Sequence, residues 1–140
     1  MTQPSPRRAR KPVAKTAAAP RPRLPKPVQL AVDAALGKKG LEVVVLDLRK
    51  SDAFTDFFVI ATGANQRQVH AIADGVEMAL KAAGVRPSNI EGSKKAEWVL
   101  LDYFDFVIHV FSPAARAFYG LERLWGSARH IPFDDVPAEA

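Results

Sequence analysis

EWVLLDYFDFVIHVFSPAARAFYGLERLW, residues 97–125, is the stretch on which the fold turns. Its first part, 97–103 (EWVLLDY), and its second, 105–111 (DFVIHVF), are rich in β-branched and aromatic residues and too short for helices. Each therefore reads as a strand. The gap between them demands a tight turn near Phe104. Ser112 then stands where an N-cap belongs, and Pro113 takes the first helical position, where a missing amide does no harm. The pattern predicts a helix through Arg116, Phe118 and Tyr119 towards Leu124 and Trp125.

Upstream, residues 28–37 (VQLAVDAALG) read as a short helix ending near Gly37. Two β-branched runs, 42–48 (EVVVLDL) and 57–62 (FFVIAT), read as strands joined by a polar connection. Val69, Ile72, Ala73, Val76, Leu80 and Ala83 recur at helical spacing and form one apolar stripe. Asn65 is placed to cap that helix, with Gln68 in the capping-box position and Gly84 at the end. A short extended piece is expected around Ser88–Glu91. The order is helix, two strands, helix, two or three strands, helix. It predicts a single α/β domain over 28–126, with a mixed four- to five-stranded sheet flanked by helices. Residues 127–140 read as a C-terminal tail.

The charge is unevenly spread. Residues 1–28 hold eight basic residues, seven of the eleven prolines and no acid. Twelve basic residues against fifteen acids remain in 29–140, a net charge of −3. A basic nucleic-acid-binding globule is thereby disfavoured. Proline removes amide donors and fixes the backbone, so 1–27 is expected to be a disordered tail. Three readings of it stay open: a solubilising segment, a loose electrostatic contact with RNA, and an organellar transit peptide. No apolar run is long enough to cross a bilayer, and none follows the basic N-terminus as in a secretory signal. With no cysteine, disulfides and thiolate chemistry are excluded. A cytoplasmic location is expected, or an organellar one if 1–27 is a transit peptide.

The sequence offers few groups suited to catalysis. Asp47, Asp52, Asp56, Asp102 and Asp105 suggest a metal-dependent phosphoryl-transfer site. Nucleotidyltransferases, however, pair a Gly-Ser turn at a helix start with two nearby aspartates on the next strand. Gly63-Ala64-Asn65 is not that turn, and the following strand carries no such pair. Asp102 and Asp105 flank a turn, where aspartate is common for backbone reasons. Gly92-Ser93-Lys94-Lys95 lacks the glycine spacing of a P-loop and leads into a strand. His70, His109 and His130 have no ligand spacing, and no serine sits in a nucleophile elbow. No catalytic residue, metal or cofactor is expected. By alternation Trp98, Leu100 and Asp102 share one face of their strand, and Val99, Leu101 and Tyr103 the other. Phe106, Ile108 and Val110 likewise oppose Val107, His109 and Phe111. Large aromatics beside charges on a sheet face have the composition of an interface centre. Trp98 closing a core edge is the alternative that periodicity leaves open.

Four strings carry a resemblance: DLR…TDFFVIATG, RQVHAIAD, EGSKKAEWVLLDYFDFVIHVF and RAFYGLERLW. In this order and spacing, over 42–63, 65–84 and 90–125, the chain resembles the Iojap-related ribosomal silencing factors. The resemblance implies a nucleotidyltransferase-like topology without catalytic residues. It implies binding to the large ribosomal subunit through ribosomal protein uL-fourteen, which blocks joining of the small subunit and represses translation when nutrients fall. It also implies a homodimer in the free state, while organellar relatives act in large-subunit assembly. An assembly factor and a cryptic nucleotidyltransferase are the alternative functions. The contact surface carried over is centred on Trp98, Asp102, Tyr103 and Asp105, with His109, Tyr119, Leu121 and Glu122 added. The family usually has glycine in the strand turn where this chain has Phe104. The turn is therefore expected to differ in type, or Phe104 to add apolar contact.

Overall fold

Pro27 sits in the first turn of helix α1 (Lys26–Gly37), where no intrahelical bond needs its nitrogen. The helix therefore begins before Val28, and Leu24 ahead of it is buried in the core. The boundary expected at residue 27 moves back accordingly. The computed structural model describes residues 23–92 and 94–133, so most of the expected N-terminal tail lies outside the described residues. Val28, Ala31, Val32 and Ala35 make the buried stripe of α1.

Strands β1 (Leu41–Asp47) and β2 (Phe57–Thr62) pair antiparallel, with an irregularity between Leu41 and Val44. Helix α2 (Gln66–Ala82) follows. The Asn65 side chain accepts from the Gln68 amide at 2.9 Å. Gln68 closes the cap one residue further out than a capping box does, accepting from the Ala64 amide at 2.7 Å. Its other side-chain atom donates to the Lys39 carbonyl at 2.8 Å, which ties the start of α2 to the end of α1. The apolar stripe runs from Val69 to Leu80; Ala83, expected to continue it, is exposed at the C-cap because the helix has already ended.

The second half supplies β3 (Asn89–Glu91), β4 (Trp98–Asp102), β5 (Phe106–Phe111), α3 (Pro113–Tyr119), α4 (Leu121–Leu124) and β6 (Arg129–Pro132). Among the described residues the strands form one six-stranded sheet in the order β3-β4-β5-β2-β1-β6. Only β2 and β5 run parallel, from Phe57 opposite Phe106 to Thr62 opposite Phe111. The sheet is therefore mixed, as expected, but wider than four or five strands. The extra strand is β6, which lies in the segment expected to be a tail. It pairs with β1, and Ile131 and Phe133 are buried. The single helix expected after Ser112 is in fact two. Gly120, in the left-handed region at φ 55°, ends α3 and starts α4.

Strand alternation divides the core into two layers. On one face Val43, Val45, Val59, Val99, Leu101, Ile108 and Val110 pack beneath α1 and α2. On the other, Val44, Leu46, Phe58, Ile60, Val107 and Phe111 meet Ala115, Leu121 and Trp125 from the α3–α4 region. Two long helices thus cover one face, while a short, broken segment covers the other. Large side chains on that second face are left near the surface.

Candidate functional site

Trp98 opens β4 on the α3–α4 face and is half-buried. Its position depends on Gly92, where an added Cβ would lie 2.0 Å from the Trp98 carbonyl oxygen, and whose φ is +80°. Only glycine fits both demands. The Trp98 ring lies 4.5 Å from Tyr119 and 5.1 Å from Phe111, centroid to centroid. Tyr119 meets Phe118 edge-on at 5.0 Å. Phe118 is 78% exposed and Leu124 71% exposed, so α3 and α4 both present bare apolar groups, of which Phe118 adjoins the tryptophan through Tyr119. A cleft of about 600 Å³ lined by Gly92, Lys94, Lys95, Glu97, Trp98 and Tyr119 borders this ridge.

His109, expected as a surface contact, lies beneath Trp98 instead and is only 3% exposed. The indole Nε1–H donates to its Nδ1 at 3.0 Å, and Phe58 packs edge-on against the imidazole at 4.5 Å. Burial disfavours the charged imidazolium and brings the His109 pKa down to about 3. The ring is therefore neutral. Because Nδ1 accepts, its proton is on Nε2, which is buried and has no hydrogen-bond partner among the described residues.

Leu121 and Glu122 face the sheet rather than the ridge. Leu121 packs on the second core layer. Glu122 receives two bonds from the buried Arg116, at 2.9 and 2.8 Å, while the third Arg116 nitrogen donates to Thr62 Oγ1 at 2.9 Å. Arg116 holds the Glu122 carboxyl below its ordinary pKa, against the opposing effect of burial.

Asp102 and Asp105 lie at the far end of the hairpin, about 13 Å along the strand from Trp98 by the usual rise. Asp102 accepts from the Phe104 amide at 2.8 Å, and Thr55 Oγ1 donates to the Phe104 carbonyl at 2.9 Å. Phe104 adopts φ +73°, and the Asp105 amide donates to the Tyr103 carbonyl at 2.9 Å. That i→i+2 bond with positive φ defines a γ-turn, a rare and strained form. The Phe104 ring is 76% exposed. Tyr103 does not join the others. Alternation turns it to the α2 face, where it stacks on Phe106 at 4.9 Å and is buried. Burial, then the charge of Glu77, push its pKa up to about 12.

The fold therefore brings Trp98, Tyr119 and His109 together, puts Leu121 and Glu122 on the same face of the sheet through the core layer and Arg116, sets Asp102 and Asp105 apart, and places Tyr103 behind the sheet. Sequence reasoning missed Phe118 and Leu124 as surface groups. One signal was available: adjacent helical residues such as Phe118 and Tyr119 point about 100° apart and do not both face a core. Among the described residues, no group of three or more histidine or acidic side chains is placed to hold a metal ion. No helix there is long and apolar enough to cross a membrane.

Comparison with known proteins gives this geometry a family. Residues 21–140 match the family model described as ribosomal silencing factor during starvation. The ribosomal silencing factor RsfS of Halalkalibacterium halodurans is 39% identical over 109 residues, covering 78% of this chain and 93% of the relative. A crystal structure of a Chromobacterium violaceum protein is 39% identical and superposes with a TM-score of 0.71, covering 81% of this chain and 92% of that one. A mouse protein named for mitochondrial assembly of the ribosomal large subunit is 31% identical over 87 residues, covering 60% of this chain and 38% of its own length. The chain belongs to the ribosomal silencing factor family.

Proposed function

We propose that the chain is a docking protein, without catalytic activity of its own, that binds the large ribosomal subunit through ribosomal protein uL-fourteen. Bound there, it blocks joining of the small subunit and represses translation under nutrient limitation. The observation that carries this reading is the ridge of Trp98, Tyr119 and Phe118. A compact aromatic cluster on a firm base is the usual centre of binding energy in an interface. Asp102 and Asp105, at the other end of the hairpin, serve as a polar margin that steers basic groups of the partner. His109, Leu121 and Glu122 act from beneath, and Tyr103 acts only through the packing that holds the hairpin. A cytoplasmic location and a homodimer in the free state belong to the same reading.

The test is sedimentation of purified ribosomal subunits with and without the protein, in magnesium sufficient for joining. Co-migration with the large subunit and loss of the joined particle are expected. Co-migration with joining intact would favour the second reading, a large-subunit assembly factor, which the name of the mouse relative supports. Depletion in rich medium would then accumulate immature large particles. Failure to co-migrate would remove both readings.

A further inference from the structure

We infer that His109 is a positioning residue for the docking surface, fixing the orientation of the Trp98 indole through an Nε1–H···Nδ1 bond of 3.0 Å. The inference rests on the reading of Trp98 as the docking anchor. Trp98 needs such a device because of its place in the sheet. β3 pairs with β4 only from Leu100 to Asp102, so at Trp98 the strand is ladder-paired on the β5 side alone, with the Gly92 backbone against its other edge. The ring contacts on Trp98, from Tyr119 and Phe111, are tilted by 45° and 33°. Such contacts tolerate sliding and rotation, whereas a hydrogen bond from the indole is directional.

The chemistry at position 109 matches this task. The side chain must be flat, since it packs edge-on against Phe58 and parallel to Phe111, 6.1 Å away with planes 7° apart. It must also present a bare acceptor at its edge. A neutral imidazole does both, while an imidazolium would point one N–H at another. Burial keeps the ring neutral. The arrangement has a cost: with Nδ1 accepting, the Nε2–H is buried with no hydrogen-bond partner among the described residues. A phenylalanine would fill the same layer and remove the buried, unpaired Nε2–H, releasing the indole N–H of the half-exposed Trp98 towards water. In stability alone the histidine is the poorer choice, so its use is explained by the bond to Trp98.

Stability and docking should therefore move in opposite directions when His109 is replaced. In the full chain, H109F should fold with a denaturation midpoint at or above the parent's. The indole N–H signal that disappears in W98F should shift upfield in H109F and exchange faster with solvent. Affinity for the large subunit should fall about tenfold. H109N, which keeps an acceptor near the Nδ1 position, should recover part of the signal position and part of the affinity. In a W98F background, H109F should have no further effect on affinity. Parent-like affinity of H109F, or an equal loss with and without Trp98, would overturn the positioning role. An unmoved indole signal in H109F would overturn the bond itself. If the parent fails to bind the large subunit, the docking reading falls with the positioning role, and the indole signal then reports on the bond alone.

Discussion

Arg116 grips the Glu122 carboxylate with two nitrogens, at 2.9 and 2.8 Å, across the break at Gly120 that separates α3 from α4. The third nitrogen reaches Thr62 at the end of β2, so one buried guanidinium fastens both helices to the sheet. Removing the acid strands that charge. Glu122→Ala should destabilise the fold by roughly 2 kcal/mol, a discounted figure because Glu122 keeps 35% of its side-chain surface in water. Urea denaturation checks it. Because Arg116 lowers the folded-state pKa of Glu122, this stabilisation is present above the ordinary glutamate pKa and fades as pH falls through the lowered value.

His109 gives a second acid dependence in a higher window. Its pKa falls from 6.5 to about 3 on folding, so between those values the unfolded chain binds the extra proton. Stability is full above about pH 6.5 and declines with acidification by about 1.4 kcal/mol per pH unit until the lower value is reached. Denaturation midpoints from pH 7 to pH 4.5 should therefore slope less steeply in His109→Phe than in the parent. Equal slopes would show that the imidazole takes up its proton in the folded chain over the same range as in the unfolded one.

Phe104 is held at φ +73° with most of its ring in water. Relief of that strain outweighs the added freedom of glycine in the unfolded chain. Phe104→Gly should raise stability by about 1 kcal/mol in urea denaturation. A fall would mean that the ring makes contacts that outweigh the strain.

Tyr103 carries a buried hydroxyl with no hydrogen-bond partner among the described residues. Tyr103→Phe keeps the stack on Phe106 and removes the unpaired group, so stability should hold or rise by up to about 1 kcal/mol. Large-subunit binding should be unchanged, since the side chain faces α2. Weakened binding with stability intact would place Tyr103 in the docking surface after all.

Trp98→Ala removes the centre of the ridge. Binding should weaken by at least about 2 kcal/mol, a thirtyfold change measurable by pelleting with large subunits. Far-ultraviolet circular dichroism should confirm that the sheet persists. Normal binding by the folded variant would take Trp98 out of the site.

The central sheet was legible in the sequence because its strands are short β-branched runs with nothing else to become. Phe57–Thr62, buried along its whole length, reads without ambiguity. The caps at Asn65 and Ser112 were legible for a local reason: the capping bond spans three residues. β6 was not, since RHIP has little alternation and its identity comes from pairing with β1, some eighty positions earlier. Nor was the break at Gly120, because a single glycine is tolerated within helices as well as at their ends. At the site, alternation correctly opposed Trp98 and Tyr103. What it hid was depth: His109 and Trp98 share a face, yet one is buried and the other half-exposed, because α3 and α4 cover only part of it.

The parallel contact of β2 with β5 has a consequence for how the molecule comes into being. Just beyond the paired residues, Thr55 and Phe104 are bonded across a separation of 49 positions. The middle of the sheet therefore closes only after a long intervening segment has been arranged, a topology associated with slow, concerted folding. The hairpin bearing Trp98 has β5 as its inner strand, so it joins the rest of the molecule through that late closure. A polypeptide interrupted before residue 106 would have helices and the β1–β2 pair but not the hairpin face proposed for docking. The face proposed for docking thus arrives only with the completed sheet.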